Sequence, residues 1–170
     1  FQHIRLFKDV TVLDNVKTAM TSKMKYSLLS SIFRLPAYRR EEKEISEKAH
    51  ALLQVLGLND KAYEMARNLP YGQQRKLEIA RALATSPKVL LLDEPAAGMN
   101  PTETKELMET IRLIRDKFGL SILLIEHDMS FVMGICEHLV VLDYGRIIAE
   151  GPPEEVRKDP KVIAAYLGGE

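Results

Sequence analysis

Val89-Leu90-Leu91-Leu92-Asp93-Glu94-Pro95 decides the fold. Its apolar run is too short for a helix, and it ends in two carboxylates and a proline. That is the pattern of a strand buried in a parallel sheet, with polar groups at the carboxyl end. In such sheets the ligand crevice lies off the carboxyl ends of the strands. An acid placed there holds Mg²⁺ directly or through water, and its neighbour orients a water for attack on a phosphoryl group. Taken alone, the heptapeptide also admits a plainer reading, in which Asp93 and Glu94 cap the turn before Pro95.

Two more runs, Ser121 to Ile125 and Leu139 to Leu142, share this short apolar character and predict further buried strands. Between the first two strands lies a helix with both ends marked. Asn100 is the cap, Pro101 takes the first helical position, Glu103 closes a capping box and Gly119 follows the end. Its expected buried stripe is Leu107, Ile111, Ile114 and Phe118. Asp143-Tyr144-Gly145-Arg146 reads as a tight turn into an antiparallel strand Ile147 to Ala149, and Pro152 to Leu167 as one or two terminal helices. Alternation of strands with amphipathic helices predicts an α/β domain with a mostly parallel sheet.

The first half reads as helical. Thr11 to Met20 starts with Thr11 as cap and Asp14 three residues on. From Arg40 to Leu56 the residues Ile45, Ala49, Leu52, Leu53 and Leu56 recur at helical spacing, with Glu41, Glu42 and Glu44 in the expected first turn. Ser27 to Arg39, which contains Pro36, reads as a loop or short turns.

With 46% apolar and 28% charged positions, 170 residues suffice for a compact core, which excludes disorder. Acidic and basic residues balance at 24 each, so no overall field draws the chain to nucleic acid or an anionic membrane. The single cysteine, Cys136, suits a reducing compartment. His3, His50, His127 and His138 show no metal-ligand spacing. The chain begins Phe1-Gln2-His3 without an initiator methionine, which suggests a piece of something longer.

Two further segments carry candidate chemistry. Leu69-Pro70-Tyr71-Gly72-Gln73-Gln74-Arg75 opens a helix running to about Thr85, with Leu77, Ala80 and Leu83 or Ala84 inside. Glycine there lets a ligand approach the backbone, and the helix N-terminus favours phosphate; by itself the same pattern is also an ordinary cap. Leu124-Ile125-Glu126-His127-Asp128 puts a histidine just past the second strand, before a helix capped by Asp128.

Together and in order, Gly72-Gln73-Gln74-Arg75, Leu90-Leu91-Leu92-Asp93-Glu94-Pro95, Ala96-Ala97-Gly98-Met99-Asn100-Pro101 and Ile125-Glu126-His127-Asp128 resemble the signature, Walker B, D-loop and H-loop of ATP-binding-cassette ATPases. The resemblance covers essentially the whole chain. The wording of these motifs and the tail Ala165-Tyr166-Leu167-Gly168 look like the ATP-binding subunits of branched-chain amino acid importers. The resemblance implies ATP and Mg²⁺ as ligands. Gln2 would be the Q-loop glutamine, sensing Mg²⁺ and the γ-phosphate, and Asp93 would hold Mg²⁺ through water. Glu94 would be the general base, and His127 would contact the γ-phosphate. Pro70, Tyr71, Gly72 and Gln73 would face the nucleotide of a second, head-to-tail ATP-binding subunit, with Gly98 and Asn100 crossing that interface. Transmembrane permease subunits and, indirectly, a periplasmic or extracellular binding protein would complete the assembly, with no nucleic acid. The location implied is cytoplasmic, peripheral on the inner face of the membrane. The helical first half would grip the permease, through Gln2 to Val16 and the loop Tyr26 to Arg39.

Two departures stand out. Pro70 and Tyr71 occupy the positions of Ser and Gly in Leu-Ser-Gly-Gly-Gln, so the serine hydroxyl is missing while the backbone donors and helix dipole remain. No Gly-x-x-x-x-Gly-Lys-Ser/Thr occurs, so the cradle for phosphate in cis is absent. The implied fold is therefore a partial P-loop NTPase, an ABC ATPase domain cut at its N-terminus. Its parallel core lacks the N-terminal strands, one of which would lie between Ser121 to Ile125 and Leu139 to Leu142. Within 1–170, residues 1–85 would hold the Q-loop, helical subdomain and signature helix, 86–150 the Walker B to H-loop core, and 151–170 the terminal helices. Alternative readings are a cassette ATPase for another substrate or a non-transport task, and an inert interaction module. Residues 1–170 alone are expected neither to hydrolyse ATP nor to melt higher with Mg-ATP, whereas a competent site at a hundred times its Kd would add about 2.7 kcal/mol; thermal melts with and without Mg-ATP check this.

Overall fold

Thr11 opens the first helix, α1 (Val12–Met20), because its hydroxyl accepts the Asp14 amide at 3.0 Å. The computed structural model describes residues 6–21 and 36–167. Gln2 and residues 27–35 of the expected loop lie outside them. Along α1, Val12, Leu13, Val16 and Met20 are buried, and so is Asn15. Asn15 is accommodated because its amide is fully used: Nδ2 donates to the carbonyls of Phe7 (2.9 Å) and Thr11 (3.0 Å), and Oδ1 accepts the Phe7 amide at 3.0 Å.

Helix α2 runs Pro36–Val55, so it starts earlier than the expected Arg40. Pro36 opens the helix rather than forming part of a loop, since the N–H that proline lacks is one the first turn leaves unpaired. Glu41, Glu42 and Glu44 consequently lie beyond the first turn, and Glu42 pairs with Lys17 of α1 instead of serving the helix dipole. Ile45, Ala49, Leu53 and Leu56 are buried as their spacing predicts, with Leu52 half-buried. Two short 3₁₀ turns, Asn59–Lys61 and Ala66–Asn68, lead into α3 (Tyr71–Ala84). Backbone bonds from Val12 to Glu64 (2.9 Å) and from Ala66 to Val10 (3.1 Å) tie this connection to α1. Helix α3 buries Leu77, Ala80, Leu83 and Ala84 as expected, and also Ile79 and Arg75.

Strand β1 (Val89–Asp93) pairs in parallel with β2 (Ser121–Ile125), joined through α4 (Pro101–Phe118). The ends of α4 match the sequence reading. Asn100 accepts the Glu103 amide at 3.0 Å, Glu103 accepts the Asn100 amide at 3.1 Å, and Gly119 is left-handed. Leu107, Ile111 and Ile114 are buried with Thr110, but Phe118 sits at the end of the stripe and is 39% exposed. Helix α5 (Met129–Ile135) lies close on α4, because a Cβ at Gly134 would come within 2.2 Å of the Met108 methyl. Strands β3 (Leu139–Asp143) and β4 (Arg146–Gly151) form an antiparallel hairpin. Tyr144 and Gly145, with φ of 45° and 77°, make its turn. Helices α6 (Pro153–Val156) and α7 (Pro160–Val162), followed by a π turn over Ile163–Leu167, bury Val156 and Val162 beside Val132 and Leu139.

Among the described residues β1 pairs in parallel only with β2 and β3 antiparallel only with β4; the sheet is not one unit, as a core lacking the strand expected between Ser121 to Ile125 and Leu139 to Leu142 implies. Nor are the strands buried on both faces. Leu90 and Leu92 enter the core with Leu107, Ile111 and Ile114, while Leu91 (69% exposed), Leu123 (59%) and Ile125 (59%) face outward. A continuous apolar run suits a strand covered on both faces, whereas covered and exposed positions alternate along β1 and β2. No helix among those residues is long and apolar enough to cross a membrane.

Asn100→Ala removes the α4 cap and should lower stability by about 1 kcal/mol, with Asn100→Asp close to wild type, as read by urea denaturation.

Candidate functional site

The parallel register sets Asp93 opposite Ile125, so the residues that follow the two strands emerge side by side. Asp93 is exposed at the end of β1. Glu94 then turns the chain with φ of 45°, a left-handed conformation uncommon for a residue with a side chain. Its amide is held by the Ile125 carbonyl at 2.8 Å, one step beyond the ladder. His127 leaves the end of β2 and brings Nδ1 to 3.3 Å from Glu94 Oε1. Glu94 is partly covered, at 30% side-chain exposure, while His127 is 73% exposed. A carboxylate and an imidazole therefore stand together at the open carboxyl end of the strands, where a phosphate-bearing ligand has access.

Glu126 lies between them and was singled out by no reading of the sequence. Its side chain is 2% exposed. Oε1 accepts the Ala96 amide at 3.1 Å and Oε2 the His127 amide at 3.3 Å. The signal was present in the strand period: Glu126 is in phase with Ile122 and Leu124, the inward positions of β2, and an acid at an inward position needs partners.

A second group forms at the start of α3. No side chain caps this helix, whose cap position is Pro70, so the first amides face outward along the helix axis. The Tyr71 hydroxyl donates to the Ala97 carbonyl at 3.0 Å, and the Tyr71 ring lies 3.7 Å from where a Cβ at Gly98 would sit. Gly98 has φ of 78°. At Gly72 a Cβ would come within 3.1 Å of Glu103 Oε1, so glycine lets α3 seat against the capping box of Asn100. Pro70, Gly72, Gln73, Met99 and Glu103 line a cleft of about 210 Å³. Arg75, buried behind Tyr71, pairs with Glu78 at 2.9 Å and sets its guanidinium 5.8 Å from the Tyr71 ring. The candidate residues thus fall into two groups. Asp93, Glu94 and His127 stand at the strand ends, Pro70, Tyr71, Gly72, Gln73, Gly98 and Asn100 at the start of α3, and residues 94–100 run between them. Gln2 is outside the described residues.

Comparison with known proteins decides the family. The model described as ABC transporter matches residues 1–97. The chain belongs to the ABC transporter ATP-binding family. A second family model, described as branched-chain amino acid ATP-binding cassette transporter, matches residues 146–170. The chain is 49% identical to the high-affinity branched-chain amino acid transport ATP-binding protein LivG of Salmonella typhimurium, over 99% of this chain and 66% of that protein. It is 46% identical to BraF of Pseudomonas aeruginosa, a protein of the same description, with the same coverage. The chain thus spans about two thirds, 66%, of the length of the curated relatives it matches. Among solved structures, MJ1267, an ATP-binding cassette of an ABC transporter in its ADP conformation, superposes with a TM-score of 0.76 at 35% identity, covering 95% of this chain and 64% of that one. CbiO1 of Clostridium perfringens, part of the ABC transporter complex cbiONQ, gives 0.78 at 29% identity, covering 96% and 60%.

The cassette family binds nucleotide, and the donors here suit that role. Asp93 offers an exposed hard oxygen at a strand end, and Mg²⁺ needs only one or two protein carboxylates beside water and phosphate. No cluster of three His, Cys, Asp or Glu side chains able to cage a metal occurs among the described residues. The uncapped start of α3 offers backbone donors to an anion.

Asp128 anchors the helix that follows His127. The Ser130 hydroxyl (2.6 Å) and then the amides of Phe131 (3.3 Å) and Ser130 (2.8 Å) hold its carboxyl below the usual carboxylate range. A depressed folded value means that this stabilisation is complete above the unfolded value and is lost as pH falls through the folded one. Asp128→Asn keeps the cap without a titrating group, so wild type should lose more stability than the variant between about pH 5 and pH 3, as measured by denaturant titration.

Proposed function

We propose that this chain supplies the hydrolytic half-site of an ATPase that drives import of branched-chain amino acids. The observation that carries the reading is the Glu94 and His127 pair, 3.3 Å apart, off the ends of adjacent parallel strands. Placement follows from the register of β1 and β2, and the chemistry from the residue types. Glu94, partly shielded, orients a water and accepts its proton as the water attacks the terminal phosphoryl group. His127 directs Nδ1 toward Glu94, so Nε2 is the nitrogen left for a phosphate oxygen, and it donates there only in the imidazolium form, in which both ring nitrogens carry a proton. Asp93, with Gln2, would hold Mg²⁺, which would supply neutralisation of phosphate charge.

The second group serves a different nucleotide. Pro70 to Gln73 present a helix N-terminus with no side-chain cap, suited to an anion brought by another subunit. Gly98 and Asn100 lie on the loop beside it, at the face where a second ATP-binding subunit would dock head to tail. Permease subunits in the membrane and an external binding protein complete the reading. Identity to LivG and BraF and the match of residues 146–170 to the branched-chain model support the substrate class.

In the natural gene product that carries this chain, Glu94→Gln should lower kcat by about 10²–10⁴-fold while ATP still binds. Steady-state hydrolysis and equilibrium nucleotide binding read the two effects separately, and a Glu94→Gln protein as active as wild type overturns the assignment of the base.

A further inference from the structure

We propose that Glu126 is a positioning residue for hydrolysis, whose buried carboxylate locks the loop after Glu94 to the loop of His127. The inference rests on the ATPase reading above. A carboxylate at 2% exposure is tolerated only where its oxygens are satisfied. Each of them is used on the backbone of a different loop: Oε1 takes the Ala96 amide at 3.1 Å and Oε2 the His127 amide at 3.3 Å. Ala96 is two residues past Glu94, and His127 is the partner of Glu94 across 3.3 Å. Glu126 therefore spans the two segments whose separation sets the geometry of the pair.

Those segments need such a tie. Glu94 is left-handed, and its loop returns toward α4 without ladder bonds of its own. Its own turn bonds run from the Ala97 amide to the Glu94 carbonyl (3.2 Å) and from the Met99 amide to the Ala96 carbonyl (3.0 Å), and three successive anchors tie it to the rest of the fold. The Ile125 carbonyl takes the Glu94 amide (2.8 Å), Glu126 takes the Ala96 amide, and the Tyr71 hydroxyl donates to the Ala97 carbonyl (3.0 Å). Only the middle anchor also reaches the histidine. Removing it leaves the part-buried Ala96 amide without its partner and cuts the side-chain link between the loop after Glu94 and the His127 loop, and a displacement near 1 Å costs about 10²-fold in rate. His127 meets the nucleotide at the phosphoryl group under attack, so the loss falls mainly on kcat.

The test compares wild type, Glu126→Gln, Glu126→Ala, His127→Ala and the Glu126→Ala/His127→Ala pair in the natural gene product. Glu126→Ala should lower kcat about 10-fold to 100-fold with KM for Mg-ATP within about twofold. Glu126→Gln, which keeps one acceptor oxygen, should recover part of the loss. In the His127→Ala background, Glu126→Ala should cost little more, because it acts through the histidine. Should Glu126→Ala fail to fold, Glu126→Gln decides by hydrogen exchange, with faster exchange expected at the amides of Ala96 and His127. An unchanged kcat, losses that simply multiply, or unaltered exchange at both amides overturns the proposal. A wild type that does not hydrolyse ATP overturns the ATPase reading instead, and the exchange measurement then still decides whether Glu126 holds the two loops.

Discussion

The parallel register of β1 against β2 is the constraint on which the rest depends. With Asp93 opposite Ile125, the residues just beyond each strand must leave the sheet together, and their chemistry becomes joint. A slip of one residue would reverse the faces of β2, turning Glu126 outward and Ile125 inward. Burial of Leu90 and Leu92 against Leu107, Ile111 and Ile114 prevents that slip for β1, since the alternative would expose the leucines that join the core. Hydrophobic packing thus fixes the spacing of polar groups that make no apolar contact themselves.

From that anchor the structure builds outward along the loop from Glu94 to Asn100. The loop begins in a left-handed residue and ends in a helix cap, and both ends are rigid for separate reasons. At Glu94 a backbone bond to β2 holds the turn; at Asn100 the reciprocal bonds with Glu103 hold the start of α4. Between them Tyr71 and Glu126 hold the neighbouring residues Ala97 and Ala96. The start of α3 and the strand ends are therefore connected by a short braced segment, which gives the two groups of candidate residues a fixed relation.

Departures from the signature pattern gain a physical sense here. Tyr71 stands where the family pattern has glycine, and its hydroxyl is used within the chain, on the Ala97 carbonyl. Arg75 behind it is buried, with Glu78 as ion partner. At Gly72 a side chain would have to displace the Glu103 carboxyl that caps α4, since its Cβ would sit 3.1 Å from Oε1. The segment's geometry is thus set by its own neighbours, and the uncapped amides of α3 are what it leaves for a ligand.

Much was legible in the sequence, because the relevant interactions are local. The caps by Thr11, Asn100 and Asp128 and the left-handed Gly119 each involve residues within a few positions, and their signals survive in the chain as written. The apolar period located the buried stripes of the helices holding Ile45 to Leu53, Leu77 to Ala84 and Leu107 to Ile114, and motif order singled out Asp93, Glu94 and His127 as candidates. The closeness of Glu94 and His127 came only from the fold. Other features depend on what packs where. Pro36 opening α2, the buried Asn15 and Arg75, the exposed face carrying Leu91 and Leu123, and the divided sheet all turn on neighbours distant in sequence. An apolar residue records that burial is favourable, and cannot say which surface arrives to bury it. Glu126 shows the converse: its letter is that of an exposed acid, and only the folded arrangement of two backbone amides makes it an interior one.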